Sequence, residues 1–142
     1  MASLSPKIHF HDDSKLAAVN KETMAFWKKY EIDMSLRELS EKSIAAYKND
    51  IEHFWIYCLD NFDNVSAKEV KEDMIEDFLF FCKMQGNNSR RIKRRLSTIS
   101  AFYKFLRRKK LVTDNPAEFI ERSKKDVDVI TQTYLTQEQV DD

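Results

Sequence analysis

Ten Lys or Arg side chains and no Asp or Glu occupy residues 88–110, NSRRIKRRLSTISAFYKFLRRKK. The whole chain of 142 residues carries 24 cations and 24 acids, so its zero formal charge conceals one strongly basic segment. Cations crowded in this way repel one another unless a partner neutralises them. The chemistry on offer is therefore the binding of a polyanion, and nucleic acid is the polyanion such a surface suits. Read as a helix, the segment divides by face. Ile92, Leu96, Ile99, Tyr103 and Leu106 form an apolar stripe at spacings of 4, 3, 4 and 3. At about 100° per residue, Arg90, Lys93, Arg94, Ser97, Lys104 and Arg108 fall opposite that stripe, with Arg91, Arg95 and Thr98 on one flank.

Other chemistries find little support. The chain has no Gly-rich phosphate loop, no His-Glu-x-x-His, no cysteine pairs at zinc spacing and no Ser elbow between glycines. Carboxylate pairs such as Asp12-Asp13 and Glu72-Asp73 sit in charge-rich segments and are expected to be solvated. Cys58 and Cys82 fall at apolar positions of predicted helices and read as small buried thiols. His9 and His11 form no ligand set with His53 or the cysteines, so neither a metal nor another cofactor is expected. No apolar run approaches 18 residues and no signal-peptide core is present, which points to a cytoplasmic protein without a membrane partner.

The elements that must position the basic face are helical. The chain is 42% hydrophobic and 12% aromatic, enough for a core, and holds only one Gly and two Pro. So few breakers leave little turn chemistry for a β protein. Residues 1–13 are polar and aperiodic and read as a tail. A helical pattern runs over 14–30, and 31–39 links it to the next element. A helix over 40–60 opens on Ser40 as N-cap, with Leu39 and Ile44 as a hydrophobic staple and a core stripe of Ile44, Tyr47, Ile51, Phe54 and Cys58. The next helix opens on a Ser66/Glu69 capping box with a Val65/Val70 staple, allows a local break near 71–73, and ends at Gly86. Asn88 caps the basic helix. Asn115-Pro116 opens a short fifth helix anchored by Phe119 and Ile120. Residues 123–133 read as a linker, and Thr136 with Gln139 forms one more helix start.

These stretches together resemble a family. Leu39, Ser40, Lys42, Ser43 and Ile44, followed by Tyr47, Asp50 and Phe54, resemble the opening of the core-binding domain of phage integrases and other tyrosine recombinases. Ser89 to Ser97, SRRIKRRLS, resembles a later helix of that domain, and Phe102, Tyr103, Phe105 and Leu106 continue it. Asp114-Asn115-Pro116-Ala117 is similar to its closing segment, and Leu135-Thr136-Gln137-Glu138 to the start of the catalytic domain. The resemblance implies an all-α, SAM-like bundle of four to five helices over 14–122 with an extra N-terminal helix, followed at 123–142 by a linker and the start of a catalytic domain. It implies that the helices over 40–60 and 88–110 lie against the double-stranded DNA of a recombination half-site. Lys42 and Ser43 would stand at the first of these helices, Ser43 on a phosphate. Arg90, Arg94 and Thr98 would face the groove, Arg90 and Arg94 toward base edges, with Arg91 and Lys93 on flanking phosphates.

The resemblance further implies sequence-specific DNA binding within DNA integration and recombination, with other recombinase protomers as partners and association with the nucleoid. The family's catalytic Arg, Lys, His and nucleophilic Tyr have no counterpart in these residues, so the chain by itself is not expected to cut or join strands. Two alternatives stand beside this expectation. One is a helical protein-interaction module that presents Trp27, Trp55 or Phe105. The other is a regulator that binds DNA through a helix-turn-helix centred on Gly86-Asn87.

Overall fold

The computed structural model describes residues 12–120. They form five α-helices and one 3₁₀ turn, with no strand among the described residues. The order is α1 (Asp13–Ala18), α2 (Lys21–Leu36), α3 (Glu41–Asn61), the 3₁₀ turn (Ala67–Glu69), α4 (Glu72–Met84) and α5 (Ser89–Arg108). The all-α, SAM-like bundle expected from the sequence is present.

Four boundaries differ from the sequence expectation, three of them because residues of other elements take up the local polar groups. The single helix expected over 14–30 is split, because Asn20 caps α2 instead of continuing α1. Its side-chain oxygen accepts from the Thr23 amide at 2.8 Å, while its Nδ2 donates to the carbonyls of Asn64 and Val65, both at 3.0 Å. Helix α2 then runs through residues read as a link. It ends in a Schellman motif, with the Leu39 amide on the Met34 carbonyl and the Glu38 amide on the Ser35 carbonyl. Glu38 takes the left-handed position (φ 65°) that glycine usually fills, so the stop carried no sequence mark.

The Ser66 capping box opens only the 3₁₀ turn. Both peptide groups of Ala67 are engaged by other elements: Thr23 Oγ1 accepts from its N–H at 2.9 Å, and the Tyr103 hydroxyl donates to its carbonyl at 2.6 Å. The chain therefore extends at Val70 and Lys71 before α4 begins. The fifth helix expected at 115–122 is a hydrogen-bonded turn over 116–119 within the described residues. Asn115 holds it, accepting from the Ala117 amide and donating to the Ser100 carbonyl. Phe119, expected as an anchor, is exposed, whereas Ile120 is buried.

An aromatic cluster joins the helices. Trp27 of α2 meets Trp55 of α3 at 5.6 Å between ring centroids and Phe102 of α5 at 6.0 Å. Tyr57 of α3 meets Phe78 of α4 at 5.5 Å. Such contacts add about 0.5–1.5 kcal/mol each to the burial itself. Trp27, Trp55 and Phe105, the residues offered for a protein-interaction module, are all buried in this cluster or beside it. Cys58 and Cys82 are buried as expected, and burial pushes both thiols up, Cys58 strongly. Neither is a nucleophile at neutral pH.

The Tyr103–Ala67 bond ties α5 to the turn ahead of α4 inside a fully buried site. Tyr103→Phe leaves the Ala67 carbonyl short of that donor, and a loss of about 1–2 kcal/mol is expected in urea unfolding.

Candidate nucleic-acid interface

The exposed face of α5 begins at a sharply defined corner. Gly86 (φ 95°) ends α4, with the Asn87 amide on the Cys82 carbonyl and the Gly86 amide on the Lys83 carbonyl. Asn88 then caps α5 by accepting from the Arg91 amide at 2.9 Å. From this start Arg90, Arg94, Ser97, Ala101, Lys104 and Arg108 follow one another at helical spacing along the solvent side, and all six are exposed.

The middle of this face forms one wall of a cleft of about 670 Å³. The opposite wall comes from Tyr30, Asp33 and Arg37 at the end of α2 and from Tyr47 of α3. Tyr47 was expected on the core stripe of α3, but it is exposed and lines the cleft. At the head of α3 the Ser40 side chain accepts from the Ser43 amide at 3.1 Å and its hydroxyl donates to that of Ser43 at 3.0 Å. Lys42 beside it is exposed, and Ser43 is half-buried.

One buried carboxylate links the two helices. Asp50 of α3 is 1% exposed and accepts two hydrogen bonds from Arg94 of α5, from Nε at 3.0 Å and from Nη2 at 2.8 Å. The Thr98 hydroxyl lies 3.5 Å from the same carboxylate, and Arg95 Nε lies 3.9 Å away. Arg95 is buried, with Nη1 on the Cys82 sulfur at 3.4 Å and Nε without a hydrogen-bond partner. The Asp50 hydrogen bonds and charge strengthen Arg94's hold on its proton beyond the ordinary guanidinium range.

The residues singled out in the sequence therefore fall into distinct groups. Arg90 and Arg91 are exposed and make no ion pair among the described residues. Lys93 is half-buried. The Arg94 side chain is 57% exposed yet anchored at its base to Asp50. Thr98, expected to face the groove, is buried against α3, because the flank of α5 it occupies is the one Asp50 covers. The distal cations are partly neutralised at home. Arg107 pairs with Glu118 at 2.8 Å, Arg108 with Asp33 at 3.3 Å, and Arg108 also stacks 5.5 Å from the Phe105 ring. Asp50 itself was overlooked as a site residue. Its signal was an acid at a position of the apolar stripe of α3, three residues after Tyr47 and four before Phe54, where a charge must find a partner.

No group of three or more His, Cys, Asp or Glu side chains capable of holding a metal occurs among the described residues. His9 and His11 lie outside them. No helix among the described residues is long and apolar enough to cross a membrane.

A family model for the phage integrase N-terminal SAM-like domain matches residues 26–110, from α2 to just past α5. The chain belongs to this family. The match begins inside α2, so α1 lies outside the family pattern, whereas most of α2, whose first half was expected as part of an extra N-terminal helix, lies within it.

Relatives carry the same signal. The chain is 30% identical over 105 residues to tyrosine recombinase XerD of Oceanobacillus iheyensis, covering 74% of this chain and 35% of the relative. It is 32% identical over 90 residues to tyrosine recombinase XerC of Anoxybacillus flavithermus, covering 63% and 30%. TTE1313 of Caldanaerobacter subterraneus, provisionally named a tyrosine recombinase, is 34% identical over 105 residues, covering 74% and 35%. The chain thus spans about a third of the length of the curated relatives it matches. No solved structure gives a significant match.

Asp50 is buried although Arg94 is largely exposed, so removing Arg94 leaves a buried carboxylate without its two shortest donors. Arg94→Ala is expected to lower stability by about 3 kcal/mol, near the bottom of the usual range because Arg95 and Thr98 still face Asp50. Arg90→Ala, on an exposed unpaired side chain, is expected to stay within about 0.5 kcal/mol of wild type. Parallel guanidinium unfolding curves measure both.

Proposed function

We propose that this chain is a DNA-binding core-binding domain of a site-specific recombinase and grips one side of a duplex recombination half-site with α5 and the head of α3. The observation that carries this is the make-up of the exposed face of α5. Arg90 and Arg94 stand at one end, Lys104 and Arg108 at the other, and the small residues Ser97 and Ala101 lie between them. From Arg90 to Lys104 the helix rises about 21 Å, at 1.5 Å per residue. Arg90 and Lys104 toward the two ends suit phosphates, and the small residues in the middle let the helix backbone, with Arg94 beside them, approach base edges in a major groove about 12 Å wide. Lys42 and Ser43 at the head of α3 add donors on the neighbouring element.

The helix-turn-helix alternative fares worse. In that arrangement the helix preceding the reader crosses the phosphate backbone. Here that helix is α4, whose solvent side carries Glu72, Asp73, Glu76 and Asp77, all exposed. Four carboxylates repel phosphate. The protein-interaction alternative loses its three aromatic anchors to the core.

In this reading the partners are double-stranded DNA and further recombinase protomers, and the chain associates with the nucleoid when bound. Strand cutting and joining belong to a catalytic domain of the parent recombinase, not to residues 12–120. Tyr30, Tyr57 and Tyr103 are buried, and burial raises the pKa of each phenol, Tyr57 to about 12, so none resembles an activated nucleophile.

Fluorescence anisotropy with a labelled duplex tests the proposal. Binding should weaken linearly in a plot of log affinity against log salt. Arg90→Ala and Lys104→Ala should each reduce the slope by about 1, and Lys83→Ala on α4 should leave it unchanged. Salt-independent binding, or wild-type slopes in both α5 variants, would contradict it.

A further inference from the structure

We propose that Asp50 is a positioning residue that presets Arg94 as a guanine reader, so that sequence information concentrates at Arg94 while its neighbours supply charge. This inference rests on the DNA-binding reading above. A guanidinium carries five N–H donors in a planar fork. Asp50 takes one from Nε and one from Nη2 of Arg94, at 3.0 and 2.8 Å. Both N–H groups of Nη1 and the second of Nη2 remain. One N–H of Nη1 and the second of Nη2 lie along the free end of the fork, an edge that matches guanine O6 and N7.

The buttress is itself fixed. The Asp50 carboxylate is 1% exposed, so it cannot contact DNA directly, and it cannot swing out without abandoning Thr98 at 3.5 Å and Arg95 at 3.9 Å. Arg95 also supplies a second cation beside the one acid. The cluster of Asp50, Arg94 and Arg95 therefore keeps a net positive charge when Arg94 is docked, and the carboxylate does not repel an approaching duplex. Arg94 opens into the cleft next to Ser97 and Tyr47, where a base edge would have room.

Arg90 offers the contrast. It lies one turn away on the same face and has no carboxylate partner among the described residues. Its side chain must be ordered at the moment of binding, which suits phosphate contact better than discrimination between bases.

The test is selection of bound duplexes from a randomised pool by the 142-residue chain. Wild type should enrich guanine about tenfold or more at one position. Arg94→Lys, which keeps the charge and loses the fork, should flatten that position alone and keep the salt slope. Asp50→Asn should flatten the same position to about twofold or less while other preferences and affinity for random duplex are held or raised. A merely structural role for Asp50 would instead depress every position together, and that result would overturn the proposal. A second measurement does not depend on any variant folding. In the DNA-free wild type, the Arg94 Nε–H bond vector should be nearly as ordered as rigid backbone, with an order parameter of about 0.85, and that of Arg90 below about 0.6. Equal mobility of the two side chains overturns the inference, as does a guanine preference retained by Asp50→Asn. Enrichment by wild type with no Arg94-dependent position overturns this inference alone, whereas a wild type that binds no duplex overturns it together with the DNA-binding reading.

Discussion

A carboxylate taken out of water must be paired, and the pairing of Asp50 fixes how α3 and α5 meet. Arg94 reaches it from the surface, Arg95 from the interior, and Thr98 from between them. Apolar packing alone would tolerate small shifts of one helix along another. A bidentate bond at 3.0 and 2.8 Å does not, because a shift of one residue would turn Arg94 away and leave Asp50 unpaired. The wall of the cleft and the line of cations along α5 both follow from that register.

The remaining elements support this pair in different ways. The cluster of Trp27, Trp55 and Phe102 supplies bulk apolar burial between α2, α3 and α5. The Ala67 peptide, held by Thr23 and Tyr103, locks the α3–α4 connection to both α2 and α5. Charge is sorted by face. The exposed acids of α4 project from the side opposite its buried Ile75, Phe78 and Cys82, while the cations of α5 line the cleft with α2 and α3. A chain with no net charge thereby presents one surface suited to a polyanion and another that repels it.

The sequence displayed the elements with strong local signals. The stripe from Ile92 to Leu106, the Ser40 cap and the Gly86 stop all lie where the pattern put them. Boundaries set by distant partners were not legible. Asn20 breaks a helix because Asn64 and Val65 are there to receive it, and Ala67 stops one because Thr23 and Tyr103 occupy its peptide groups. Glu38 ends α2 in a conformation that glycine usually marks. At the site, helical periodicity separated the exposed Arg90 and Arg94 from the core and left Thr98 on a flank, which the family resemblance turned toward the groove. Only the position of α3 decides that this flank is covered, and that same contact gives Asp50 its role.

Amide chemical-shift mapping during titration with a short duplex at low salt tests most directly whether this groove is the DNA surface. The account predicts shifts in two separate stretches, residues 42–49 at the head of α3 and residues 90–101 of α5, with the solvent side of α4 around Phe80 and Met84 unchanged. Shifts centred on α4, or none at either stretch under conditions where the duplex binds, would contradict it.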